Sequence, residues 1–249
     1  MSPLPSEVIA SRLESIRAGL PSSARLVAVS KFHPADYVVK AYEAGQRLFG
    51  ESRVQELVGK WESLHEAYPD IVWHFIGPLQ TNKVKYIAPF ISMIESVTSE
   101  RLLREICRQA QRVGRTIPIL LELHVAQEET KSGFARSELL ELLGAIHAAP
   151  EEWRGIELRG LMAMASNVAD EQQVEREFAE VRATFDAIRS SDLLLQPESF
   201  TELSMGMSGD YQIALSQGST LVRIGSAIFG ERLSAGKHLT RQDIIRIAR

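Results

Sequence analysis

A single cysteine, Cys107, stands among the 249 residues, so no internal disulfide can close and no cysteine-based zinc centre can assemble. A reducing cytoplasm is the expected location. Long uncharged apolar runs are also missing, and the start, Met1-Ser2-Pro3-Leu4-Pro5-Ser6-Glu7, has no basic segment followed by an apolar stretch. Neither a membrane span nor an export signal is expected, and the chain reads as soluble. Charge of one sign is not in excess: 28 Lys plus Arg face 32 Asp plus Glu, a net of −4, with the basic residues scattered. Nucleic acid is therefore not an expected partner. The glycines form neither a dinucleotide fingerprint nor a P-loop, and the histidines and carboxylates lack metal-ligand spacing, so neither nucleotide nor metal is expected.

What is present is the balance of an ordinary globular protein, 45% hydrophobic and 24% charged. Apolar runs rich in β-formers alternate with stretches of helical period along the chain. Eight strands are expected, over Arg25-Ser30, Arg47-Glu51, Val72-Gly77, Met93-Val97, Pro118-Val125, Leu158-Met164, Glu202-Gly206 and Leu221-Ser226. Helices are expected near Pro34-Ala44, Val54-Ala67, Asn82-Ala88, Ser99-Val113, Ala135-Ala148, Glu171-Ile188 and Asp210-Ser216, with one more at Pro5-Ala18 before the first strand. No linker or change of composition divides the chain. Residues 1–249 therefore read as one domain, a (β/α)8 TIM barrel with an extra N-terminal helix, a doubly wound sheet being the alternative. No strand reads as alternating polar and apolar, as expected for strands covered on both faces.

In such a barrel chemistry belongs at the C-terminal ends of the strands, with phosphate held after the last two. Lys31 directly follows Leu26-Val27-Ala28-Val29-Ser30. Partial desolvation there would lower its pKa and leave a nucleophilic amine; the plain alternative is a strand-end lysine reaching water. The segment Leu203-Ser204-Met205-Gly206-Met207-Ser208-Gly209-Asp210-Tyr211 leaves a strand and enters a helix, where free N–H groups suit a phosphate. Ser208 either donates to that anion or caps the helix, with Asp210 in its first turn. Gly225 and Ser226, at the end of Val222-Arg223-Ile224-Gly225-Ser226, could bring amides to a second side. Arg223 inside a strand needs a buried acceptor, either a ligand or a salt bridge. Ser52, His74, Asn82 and Met207 are candidate pocket-lining residues, as is Lys131-Ser132-Gly133. His74 reads equally as a satisfied core histidine, and Met162, Met164, Met205 and Met207 as packing.

These segments together resemble the pyridoxal phosphate homeostasis protein family. The resemblance runs through Leu26-Val27-Ala28-Val29-Ser30-Lys31, Phe49-Gly50-Glu51, Val54-Gln55-Glu56, Trp73 to Lys83, Lys131-Ser132-Gly133, Leu203 to Ser208 and Val222-Arg223-Ile224-Gly225. It implies a barrel like the N-terminal domain of alanine racemase. It further implies pyridoxal 5'-phosphate (PLP) held as an internal aldimine on Lys31, its phosphate on Ser208, Gly225 and Ser226, and Arg223 facing the pyridine nitrogen. Ser52 and Arg53 depart from a common Asn-Tyr, Ser226 from a frequent threonine, and His124 from asparagine.

An arginine cannot accept the pyridinium proton that carbanion chemistry needs, and only about twenty residues follow Gly230, too few for a second domain carrying another catalytic base. The expected function is therefore PLP homeostasis, holding and releasing the cofactor, with apo PLP enzymes as candidate recipients and a monomer or weak dimer as the expected state. A PLP-dependent racemase or decarboxylase is the alternative, and a lyase binding a sugar phosphate on Lys31 a third reading.

Overall fold

The computed structural model describes residues 4–126 and 132–230. Eight parallel strands close on themselves in sequence order: β1 (Arg25–Val29), β2 (Leu48–Glu51), β3 (Val72–Phe75), β4 (Met93–Val97), β5 (Ile117–Glu122), β6 (Ile156–Met162), β7 (Glu202–Ser204) and β8 (Leu221–Ile224). Closure is made where β1 pairs β8, with Val27 beside Arg223 and Ala28 beside Ile224. The outer layer comprises α1 (Ser6–Ala18), α2 (Ala35–Glu43), α3 (Val54–Leu64), α4 (Val84–Ile87), α5 (Glu100–Arg112), α6 (Arg136–Ala148), α7 (Glu171–Arg189), α8 (Tyr211–Ser216) and α9 (Ser226–Phe229). This is the (β/α)8 barrel read from the sequence, with α1 as the extra N-terminal helix.

Side-chain alternation sorts the core into two layers. Outward residues such as Ala28, Phe49, Trp73, Phe75, Ile94, Leu121, Leu203 and Val222 pack beneath the helices in one large cluster. Inward residues Val27, Leu48, Met93, Leu120, Met162 and Leu221 form a second, smaller cluster that plugs the barrel, with Met164 against it. At the N-terminal end Arg25 bonds Glu202 at 2.5 Å, and Glu202 also accepts from Thr220 at 3.0 Å.

Helix starts follow local capping. The Ser99 hydroxyl accepts from Leu102 N–H at 3.2 Å, and the Asp170 carboxylate accepts from Gln172 and Gln173, satisfying first-turn donors of α5 and α7. The helix expected over Asn82-Ala88 is broken. Thr81–Lys83 is a 3-10 turn and α4 stops at Ile87, with Ala88 still helical as its C-cap, because Pro89 has no N–H to continue the ladder. The expected strands β1, β3, β5, β6, β7 and β8 run on past their observed C-terminal ends. There the chain leaves the ladder for the loops, and periodicity carries no sign of that exit. A short helix after β8, α9, has no counterpart in the sequence reading.

Cys107 lies on the buried face of α5, and burial pushes its thiol up to about 11. At pH 8 only roughly one molecule in a thousand would carry the reactive thiolate. A thiol reagent at that pH should leave the native protein unlabelled over hours and label it fully in denaturant, as read by mass spectrometry.

Candidate functional site

Above the apolar plug the inward positions turn polar. His74 of β3, Glu95 of β4, Glu122 of β5, Ser204 of β7 and Arg223 of β8 are all buried. Four of them are linked: His74 Nδ1 donates to Glu95 Oε1 at 2.6 Å, Ser204 Oγ donates to Glu95 Oε2 at 2.6 Å, and Arg223 Nη1 donates to Ser204 Oγ at 2.5 Å. Because β4 and β7 are not neighbours, the Ser204 to Glu95 bond crosses the barrel interior. Arg223 also donates from Nη1 to the Ser204 carbonyl and from Nη2 to that of Ala163, both at 2.9 Å, and lies 3.9 Å from Glu95. The cost of burying a guanidinium is thus offset by three acceptors and a nearby carboxylate.

Burial pushes the Glu95 carboxyl up, but the His74 and Ser204 hydrogen bonds and the Arg223 charge outweigh it and hold the carboxyl below its ordinary value. A group depressed in the folded state contributes stability above its unfolded pKa, roughly 4.3 for glutamate, and loses it as pH falls through the folded value. Acid unfolding followed by circular dichroism should therefore become less steep below about pH 4 in Glu95→Gln. Glu122, by contrast, is raised by burial, with Ser132 donating to its Oε1 at 3.0 Å.

Two adjoining loops form the rim over β7 and β8. In the first, Gly206 takes φ +90, and a Cβ there would sit 2.7 Å from Ala214 Cβ and 2.8 Å from Tyr211 Cα, so only glycine fits the turn. Met207 N–H donates to Asp210 Oδ1 at 2.6 Å. Asp210 stands at the N-cap position of α8 rather than in its first turn, and neither its carboxylate nor the Ser208 hydroxyl bonds a first-turn N–H of that helix. The half-buried Ser208 hydroxyl and the N–H groups of Ser208 and Gly209 make no hydrogen bond to a described residue. In the second loop Ser226 opens α9 and is exposed, and the N–H groups of Ser226 and Ala227 likewise have no acceptor among the described residues. Gly225 has a packing reason of its own: a Cβ would lie 3.0 Å from the Val29 carbonyl of β1.

Lys31 follows Ser30 at the end of β1 and is half-buried, its Nζ 6.0 Å from the Phe32 ring centre. Phe32 adopts φ +66, a conformation a bulky residue takes only where its surroundings hold it. The departing residue Arg53 stacks on that ring at 4.6 Å, so it braces the turn after Lys31.

Residues 6–233 match the family model described as alanine racemase, N-terminal domain. The pyridoxal phosphate homeostasis protein of Vibrio alginolyticus is 38% identical over 214 residues, which cover 85% of this chain and 88% of that protein. The chain belongs to the pyridoxal phosphate homeostasis protein family. PipY of Synechococcus elongatus PCC7942 is similar in three dimensions as well. Its structure without PLP superposes with a TM-score of 0.79 at 35% identity, covering 89% of this chain and 100% of that one. With PLP bound the TM-score is 0.75 at the same identity and coverage.

The candidate pocket-lining residues fall in several places. His74 is inside the barrel but committed to Glu95. Asn82 is exposed on the 3-10 turn after β3. Ser52 is half-buried, its backbone packed against Gly77, where a Cβ would lie 2.4 Å from the Ser52 carbonyl. Met207 is 39% exposed, whereas of the other methionines read as packing Met162 and Met205 are buried and Met164 is partly buried against the plug. Lys131 lies outside the described residues. Sequence reasoning missed Glu95, Ser204 and Glu122, and denied any alternation in the strands. The signal was nonetheless there: His74, Glu122, Ser204 and Arg223 each stand alone between two outward apolar neighbours.

Proposed function

We propose that this chain binds PLP at the mouth of its barrel, with Lys31 as the amine that bonds to the aldehyde carbon, and holds and releases the cofactor in vitamin B6 homeostasis. The reading is carried by 38% identity across 85% of the chain to a protein bearing that name, and supported by the PLP-bound PipY neighbour. When bound, PLP supplies an aldehyde carbon for a nitrogen nucleophile and a pyridine ring that draws electrons when protonated.

The residues present fit that group. Ser208 and Ser226 bring two hydroxyls and four N–H groups without described protein acceptors to neighbouring loops, the donor set that a phosphate takes. Gly225 joins the second loop to β8. Arg223 is fixed by Ser204, Ala163 and Glu95 and keeps its charge, so it can donate to a ring nitrogen but cannot take a proton from it. A nitrogen so placed stays unprotonated, which disfavours carbanion chemistry and favours storage over turnover. His74 acts through Glu95, while Ser52, Asn82 and Met207 line the approach. The same reading takes residues 1–249 as one barrel domain, active in the cytoplasm as a monomer or weak dimer, with apo PLP enzymes as recipients.

The test is to add PLP to the purified protein, record its absorbance, reduce with borohydride and map the modified peptide. Labelling confined to Lys31 supports the assignment. Labelling elsewhere, or none, overturns it. Mixing the loaded protein with an apo-aminotransferase then tests delivery: transaminase activity should appear as PLP is lost from the donor.

A further inference from the structure

The two peptide groups that flank Lys31 are each held by a side chain of α3. Lys60 Nζ donates to the Ser30 carbonyl at 2.8 Å, the peptide before Lys31, and Glu56 Oε2 accepts the Phe32 N–H at 2.8 Å, the peptide after it. Residues 56 and 60 are one helical turn apart, so both reach the end of β1 from the same face of α3. Lys60 is buried and bonds Glu51 Oε1 at 2.5 Å, and the same oxygen accepts from Ser30 Oγ at 2.6 Å. Glu56 is braced in turn by Arg53 at 3.6 Å and Lys60 at 4.0 Å. Between these two anchors the chain makes the left-handed turn at Phe32.

We propose that Glu56 and Lys60 are positioning residues that aim the Lys31 amine into the barrel mouth. The inference rests on Lys31 as the cofactor-bearing residue. Fixing both peptide planes sets the direction of the Lys31 Cα–Cβ bond, so the four-carbon chain starts its search for the aldehyde from one orientation instead of many. A purely stabilising role would be met by the Lys60 to Glu51 pair alone. It does not call for a carboxylate on the Phe32 N–H, nor for an aromatic residue held at positive φ.

The experiment compares wild type with Glu56→Ala, Glu56→Gln and the double variant Glu51→Gln/Lys60→Met, which removes both buried charges together instead of stranding one. Circular dichroism checks the fold. One readout is the rate at which added PLP becomes fixed to Lys31 by borohydride. The other uses no cofactor: dilute acetic anhydride labels lysines, and the Lys31 to Lys85 ratio is read by peptide mass spectrometry, Lys85 being exposed. Glu56→Ala and the double variant should slow fixation about tenfold or more and move the acetylation ratio towards unity, while Glu56→Gln, which keeps an acceptor, stays within about threefold of wild type. Folded Glu56→Ala and double variants that behave as wild type in both readouts overturn the proposal. If wild type itself fixes no PLP on Lys31, the cofactor assignment falls, and the acetylation ratio alone then decides whether the clamp exists.

Discussion

Lys31→Ala is expected to abolish borohydride-stable incorporation of PLP and to weaken residual binding by about a hundredfold, roughly 2.7 kcal/mol. The fold should survive, since a half-buried side chain at a strand end is truncated without opening the apolar core. Weak binding should persist because the rim hydroxyls and Arg223 do not depend on Lys31. Equilibrium titration by absorbance, then reduction and intact mass, measures both parts, with Lys85→Ala as the control. A Lys31→Ala protein that still carries a reducible PLP adduct at wild-type level would show that the wrong amine has been assigned.

Arg223→Met carries the second large effect, on stability. Arg223 is 4% exposed, and removal of its guanidinium leaves the Ser204 and Ala163 carbonyls without that donor and Glu95 without its nearby cation. Breaking a buried charge arrangement from one side costs about 3–5 kcal/mol. For a domain of this size that lowers the melting temperature by about 6–20 °C. Adding Glu95→Gln should recover a good part of the loss, because a neutral amide can keep partners in the network without a buried uncompensated charge. Calorimetry on the single and double variants gives the coupling. A single variant that melts within about 2 °C of wild type would show that the interior network is not energetically coupled as its geometry implies.

The barrel was legible because its determinants are local. Strand runs such as Leu26-Val27-Ala28-Val29 and the caps at Ser99 and Asp170 act within a few residues, and the alternation of strand and helix leaves few topologies. The ends of the strands were less legible. Whether Gly206 or Gly225 still belongs to a strand depends on Tyr211, Ala214 and Val29, which lie elsewhere in the chain.

The site divides in the same way. Lys31, Ser208, Arg223, Gly225 and Ser226 stood out because a lysine or arginine in an apolar run, or a glycine-serine pair at its end, is anomalous in its own neighbourhood. That neither Ser208 nor Asp210 caps α8 with its side chain did not follow from sequence, because both are chemically able to cap and only the loop's course turns the Asp210 carboxylate back to the Met207 N–H. Glu56 entered the sequence reading only within Val54-Gln55-Glu56 and Lys60 not at all, and only packing turned both towards the flanks of Lys31.

By itself the sequence determined the number of strands, their alternation with helices that calls for a covered parallel sheet, and the anomalous polar residues at the strand ends. These follow from side-chain chemistry, from β-rich apolar runs and from the 3.6-residue helical period, which short stretches carry. The partners of the buried charges were decided only in three dimensions. Glu95 meets Ser204 and Lys60 meets Ser30 across 109 and 30 residues of chain. Which distant groups share one low-dielectric interior is a consequence of closure, and closure is a property of all eight strands together.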